Sequence, residues 1–188
     1  MSVEEVFRRI TAALDETGIA YMLTGSFASA YYGTPRTTQD IDLIIEASAD
    51  QLHAFVNALP RNRYYIDGEA ALDAQRRESM FNVIDMETGW KIDFIIRKSR
   101  AFSQEEFRRR TPVQWQGIGL FLASPEDVLL SKLEWAHLGQ SQRHIEDVAG
   151  ILRLRDSLDL TYIERWIAEL GLSSEWKNAR RLAEALDK

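Results

Sequence analysis

Two aspartates one residue apart, Asp40 and Asp42, open the run Asp40-Ile41-Asp42-Leu43-Ile44-Ile45. Alternate residues of a strand share a face, so extended backbone aims both carboxylates the same way, about 6–7 Å apart. The apolar run behind them reads as a buried strand, and two like charges at its mouth call for a counter-charge. Hard carboxylate oxygens suit Mg²⁺ or Mn²⁺, which complete their shells with water and substrate phosphates. Upstream, Tyr21-Met22-Leu23-Thr24 reads as a strand, Gly25-Ser26 as a turn, and Phe27 to Tyr32 as a short helix closed by Gly33. A turn into a helix N-terminus presents free N–H groups and the positive dipole end to an anion. There Gly25 allows close backbone approach and Ser26 adds a hydroxyl donor. A third acid, Asp93, interrupts the apolar stretch Ile92 to Ile96, so it either binds a cation or pairs with a base such as Lys91 or Arg97. Taken singly, Asp-x-Asp also describes a solvated strand end, and Gly-Ser an ordinary turn.

In combination these residues resemble a known family. Gly25-Ser26, a gap of 13 residues and then Asp40-Ile41-Asp42 is similar to the signature of the nucleotidyltransferase superfamily, the polymerase-β-like fold. The string Pro35-Arg36-Thr37-Thr38-Gln39-Asp40-Ile41-Asp42 resembles the branch of AbiEii-type toxins and related minimal nucleotidyltransferases, over roughly residues 20–150. The resemblance implies a third carboxylate on a later strand, which Asp93 offers, so that Asp40, Asp42 and Asp93 are the expected catalytic and metal-holding residues. It also implies Gly25, Ser26, Arg36 and Lys132 at the nucleotide phosphates. For Lys132 the plain alternative is a solvent-facing lysine, and for Arg143 an i, i+4 ion pair with Asp147. The implied reaction is Mg²⁺-dependent transfer of an NMP from an NTP to a hydroxyl acceptor (EC 2.7.7 type). An RNA 3′ end, a protein side chain and a small molecule all stay open as acceptor, and an antitoxin protein is the implied partner. A catalytically inactive nucleotide-binding or protein-interaction module on the same fold is the other class the residues allow.

The elements that must position these residues follow from periodicity. Val3 to Thr17 carries Val6, Phe7, Ile10, Ala13 and Leu14 at helical spacing. Helices are expected at 49–59 and 69–78, and a hairpin of 81–85 with 90–96 around Met86-Glu87-Thr88-Gly89. That hairpin would bring Asp93 beside Asp40 and Asp42. Strands recur at 113–115 and 119–122. From Ser124 the pattern is helical: Ser124 suits an N-cap, Pro125 the first turn, and Glu126-Asp127 the positive helix start. Further helices are expected near 143–154, through Tyr162 to Leu170, and after Ser173-Ser174. The predicted architecture is α/β (α+β): a small mixed sheet flanked by helices in residues 1–123, with a C-terminal helical region, 124–188, on that core.

Composition frames the chemistry. With 45% hydrophobic residues in 188, the chain can bury a real core. A formal net charge of −6 argues against a general nucleic-acid coat, although Arg97-Lys98-Ser99-Arg100 and Arg108-Arg109-Arg110 are local basic runs. The absence of cysteine excludes disulfides and Cys-based zinc sites, and the three histidines lack metal-ligand spacing. Without a Gly-x-Gly-x-x-Gly or Walker-type loop, dinucleotide and P-loop chemistry have no support. No signal peptide or bilayer-length apolar run is seen, so a soluble, cytoplasmic protein without membrane attachment is expected.

Overall fold

The computed structural model describes residues 2–34, 37–139, 141–155 and 157–186. In chain order the elements are α1 (Val3–Glu16), β1 (Ala20–Thr24), α2 (Gly25–Tyr32), β2 (Asp40–Glu46), α3 (Ala49–Ala58), β3 (Tyr64–Ile66), α4 (Gly68–Arg77), β4 (Met80–Asp85), β5 (Lys91–Ile96), α5 (Ala101–Arg108), β6 (Thr111–Trp115), β7 (Ile118–Leu122), α6 (Pro125–Gly139), α7 (Gln142–Leu154), α8 (Leu160–Leu170) and α9 (Ser173–Leu186). By their internal contacts these fall into two compact units. The first is Met1–Thr24 with Thr38–Leu122, and the second is Gly25–Thr37 with Ala123–Lys188. Thus α2, placed by the sequence reading in an α/β core of residues 1–123, groups with the C-terminal helices.

The first unit is built on a seven-stranded mixed sheet of order β3-β4-β5-β2-β1-β7-β6. Its centre is β2, antiparallel to β1 and parallel to β5. The alternation along β2 sends Ile41, Leu43 and Ile45 to one face, where all three are buried. Phe94 of β5 belongs to that face, edge-on to Phe55 of α3 at 5.2 Å and stacked on Phe81 of β4 at 5.1 Å. The amphipathic α1 adds Val6, Phe7, Ile10 and Leu14 to this core. The opposite face of β2 carries Asp40 and Asp42. As the spacing predicts, β4 and β5 form an antiparallel hairpin.

A buried carboxylate ties α1 to the sheet edge. Asp85 at the end of β4 is inaccessible to solvent, and its Oδ2 accepts from Arg9 and Arg63, each at 3.1 Å. Arg9 also donates Nε–H to the Tyr64 hydroxyl at 3.0 Å. Burial alone would push the Asp85 carboxyl up, but the hydrogen bonds from Arg63, from the Glu87 N–H and from Arg9, with the Arg63 charge, hold it below the ordinary carboxylate range. On β1 the buried Tyr21 phenol is pushed up to about 12 by burial and by the negative charge of Asp15.

The second unit is helical. Ser124 caps α6 as expected, accepting from the Asp127 N–H at 3.2 Å while donating its hydroxyl to Asp127 Oδ2 at 2.7 Å. The same fully buried carboxylate accepts from the Tyr162 hydroxyl of α8 at 2.6 Å. The apolar residues Leu129 and Leu133 of α6, Ile145, Val148 and Ile151 of α7, Ile163 and Ile167 of α8 and Ala179 of α9 are buried. Helix α2 packs within this unit on α6 and α7. No described helix is long and apolar enough to cross a membrane.

Candidate active site

The acid cluster is a product of strand register. In the parallel pair β2–β5, Asp42 lies opposite Asp93 and Asp40 opposite Lys91. Partner residues of adjacent strands share a face about 4.8 Å apart, and Asp40 shares that face with Asp42 at i, i+2. The row extends to both neighbours, because β1 places Thr24 opposite Asp42 and β4 places Asn82 opposite Asp93. Across four strands it therefore reads Asn82, Asp93, Asp42, Thr24. Burial is graded: Asp40 is exposed, Asp42 half-buried and Asp93 buried at 6% exposure. Thr38 secures the mouth of β2, its hydroxyl accepting from the Asp40 N–H and donating to the Asp40 carbonyl, both at 3.2 Å.

Of the two bases available to Asp93, the partner is Lys91, whose Nζ donates to Oδ2 at 2.7 Å. Arg97 instead pairs with Glu46 at the far end of β2, at 2.6 Å. The hydrogen bond to Asp93 raises the Lys91 ammonium above its usual range, and the negative field of Asp93, Asp40 and Asp42 adds to it. All three carboxylates thus act on one lysine. The other oxygen of Asp93, Oδ1, is buried and has no hydrogen-bond partner among the described residues. A carboxylate oxygen left that way is costly unless something else meets it.

The donor set decides what that group is. Among the described residues no three His, Asp or Glu side chains already converge as a metal cluster, consistent with Asp93 Oδ2 being held by Lys91. Mg²⁺ and Mn²⁺ need no such cage, since one or two carboxylates suffice when water and phosphates complete the shell. The i, i+2 pair Asp40 and Asp42 with the unsatisfied Oδ1 of Asp93 fits that requirement in oxygen type and in charge.

The other expected site residues lie in the helical unit. The chain passes from Thr24, at one end of the acid row, straight into Gly25, whose φ of +63° is the left-handed conformation that favours glycine. Ser26 follows in the first turn of α2, and its carbonyl accepts from the Ser29 hydroxyl at 3.1 Å. The far end of α2 is clamped by α7. A Cβ at Gly33 would meet the backbone of Gly150 and Ile151 at 3.0–3.1 Å, and one at Gly150 would meet Thr34 Oγ1 at 3.0 Å. Arg155 donates to the carbonyls of Tyr31 and Tyr32, at 3.4 and 3.3 Å, with its guanidinium over the Tyr32 ring. Arg36 and its neighbour Pro35 lie outside the described residues.

Lys132 is not the solvent-facing lysine of the plain alternative. It is buried, and its Nζ donates to Asp147 Oδ2 at 2.7 Å, the two side chains being 5% and 7% exposed. Spacing alone offers Asp147 to Arg143 of its own helix; in the structure it is held by a lysine of the preceding one. No local signal marks a pair 15 residues apart on two helices.

The mixed sheet and its helices are those of the nucleotidyltransferase fold. The chain matches ANT(2")-Ia, solved in complex with adenylyl-2"-tobramycin, at TM-score 0.58 with 16% identity, over 88% of this chain and 95% of that one. The lincosamide antibiotic adenylyltransferase LnuA, solved with lincomycin, aligns at TM-score 0.55 and 14% identity over 82% and 99%. An antigenic nucleotidyltransferase-like protein from Paracoccidioides brasiliensis aligns at 0.54 and 20% over 90% of each chain. At such identities the likeness establishes the fold. No curated protein matches the sequence. The family is nonetheless defined: residues 7–187 match the nucleotidyl transferase AbiEii toxins of type IV toxin–antitoxin systems, and the chain belongs to that family.

Proposed function

We propose that this protein transfers a nucleoside monophosphate from an NTP to a hydroxyl acceptor in a Mg²⁺- or Mn²⁺-dependent reaction, as the toxin of a toxin–antitoxin pair. The observation that carries the reading is the register of β2 and β5, which sets Asp42 against Asp93 with Asp40 on the same face. Asp40, Asp42 and Asp93 are the residues that would hold the metal ions. A divalent ion there supplies positive charge to the triphosphate and lowers the pKa of the attacking hydroxyl.

In the transfer, the acceptor oxygen attacks the α-phosphorus of the NTP. The bond from that phosphorus to the bridging oxygen breaks, pyrophosphate leaves with the electron pair, and the hydroxyl proton is released. Asp93 serves this step through Oδ1, the oxygen outside the ion pair, which accepts the hydroxyl hydrogen, while Lys91 fixes the carboxylate's rotamer through Oδ2. The Gly25 and Ser26 N–H groups, at the positive end of α2, are assigned to the phosphates, as is Arg36 by the family resemblance. Fixed donors aimed at oxygens that gain charge stabilise the transition state more than the bound substrate. Lys132, buried against Asp147, is assigned instead to holding α6 on α7. A nucleotide-binding or interaction module without turnover is the second reading, and the Lys91–Asp93 ion pair is the observation in its favour, because it gives Asp93 a partner within the protein.

The test is label transfer. Each of ATP, GTP, CTP and UTP, labelled at the α-phosphate, is incubated with protein, Mg²⁺ and a whole-cell extract that is then resolved into RNA, protein and small-molecule fractions. The expected result is label in one fraction, abolished by EDTA and by Asp42→Asn, and reduced by at least about 10³-fold in Asp93→Asn with its fold intact. Equal labelling by wild type and Asp93→Asn removes the three-acid assignment.

A further inference from the structure

The acid row has two ends with different chemistry, and the second has no role yet. At one end Thr24 runs covalently into Gly25, on the side assigned to the nucleotide. At the other stands Asn82 of β4, the register partner of Asp93. Its neighbours Phe81 and Val83 are buried on the opposite face, whereas Asn82 is exposed. Asparagine is depleted in strands, and here its amide makes no hydrogen bond to a described residue, so strand stability does not explain the choice. Met80 and Ile84 share its face, the first 47% exposed and the second half-buried.

From this juxtaposition we infer that Asn82 is the acceptor-recognition residue, and that β4 forms the acceptor side of the site. The inference rests on the reading of Asp40, Asp42 and Asp93 as the transfer centre. Cross-strand partners stand about 5 Å apart at Cβ. A hydroxyl oxygen within hydrogen-bond range of Asp93 Oδ1 therefore lies within reach of the Asn82 amide, which donates through its NH₂ and accepts through its carbonyl. The acceptor is thus held by two polar groups of opposite capability. Asp93 takes the hydroxyl hydrogen, while Asn82 donates to an oxygen of that hydroxyl or of its neighbour. Met80 and Ile84, either side of the amide, offer apolar contact to the acceptor's carbon skeleton.

The chain has no cysteine, so Asn82→Cys carries a single addressable thiol. This variant is assayed before and after coupling to a bulky maleimide, with Lys177→Cys, exposed on α9, as coupling control. Two readouts are taken: Mg²⁺·NTP binding by thermal shift, and transfer of α-phosphate label to the whole-cell extract. The expected result is that the adduct at position 82 stops labelling and leaves nucleotide binding unchanged, while the control adduct changes neither. Asn82→Ala should raise the KM for the labelled fraction about tenfold at near-constant kcat, the loss of one hydrogen bond. Normal labelling with the adduct in place, or loss of nucleotide binding along with labelling, overturns the inference while the transfer reading stands. A wild type that labels nothing removes that reading, and the inference with it.

Discussion

The Lys132–Asp147 pair sets up a double-mutant cycle whose outcome follows from burial. Both side chains are almost wholly removed from water, and 2.7 Å separates Nζ from Oδ2. Lys132→Met keeps the stem volume but leaves the Asp147 carboxylate in the α6–α7 interface without the lysine's charge. Removing one partner of a buried pair costs about 3–5 kcal/mol, chiefly through the charge left behind. For a chain of this length that lowers Tm by roughly 6–20 °C. Asp147→Leu, which strands the ammonium instead, should lose a similar amount. The double variant buries neither charge, and apolar replacement of a whole buried pair is near neutral or stabilising, so it should recover most of the loss. The assay is urea unfolding followed by circular dichroism, with the coupling energy read from the four proteins. Coupling above about 2 kcal/mol is expected for neighbours in direct contact. Single variants within about 1 kcal/mol of wild type, or a double variant as weak as the sum of the singles, would refute the assignment of Lys132 to the helical core.

Three further outcomes are expected. Gly25→Ala places a Cβ at φ +63° and should destabilise by about 1–2 kcal/mol while weakening Mg²⁺·NTP binding, with Gly25→Asn milder because asparagine tolerates that conformation; unaltered thermal stability and nucleotide binding in Gly25→Ala would count against it. The Asp85 carboxyl is held below its unfolded value, so its contribution to stability is complete above about pH 4 and is lost as pH falls through the folded pKa. Chemical unfolding from pH 6 down to pH 2 should show an acid limb that Asp85→Asn flattens, at the cost of lower stability at pH 6. The Tyr21 phenol is displaced upward, so its contribution is complete below about pH 10 and lost as pH rises toward 12; Tyr21→Phe should remove that alkaline limb, and an unchanged limb would assign it to another group.

Much of the site was legible because strand geometry is rigid. Asp40 and Asp42 declare their common face by parity alone, and the Gly-containing turn after Asp85 brings Asp93 into the same sheet. Position along the strands was another matter. That Asp42 faces Asp93 and Asp40 faces Lys91 depends on the β2–β5 register, a contact between segments some fifty residues apart in sequence, and so the identity of Asn82 as the next member of the row had no local signature. The Ser124 cap of α6 was readable, since hydroxyl, proline and acids stand in fixed order. The edge strand β3, three residues long, is too short to show alternation. Helix α5 buries Phe102 and Phe107 at i and i+5, a spacing that draws no apolar stripe. Nor does anything within residues 25–37 announce that α2 belongs with helices a hundred residues downstream. Its partners are recorded in the glycines at 33 and 150, whose meaning appears only when the two backbones meet.

That division has a consequence in time. The helical unit is discontinuous in sequence: its first segment leaves the ribosome early, and α6 and α7, on which α2 packs, are made only after the whole sheet has been synthesised. Eight residues of isolated helix have no appreciable stability in water. During synthesis the Gly25-Ser26 segment therefore stays unstructured until residues near 150 emerge, with the seven strands already complete. Assembly of the helix assigned to nucleotide binding therefore waits for helices made after the sheet, and a chain truncated anywhere before α7 would carry all three aspartates on their strands yet leave that helix without its support.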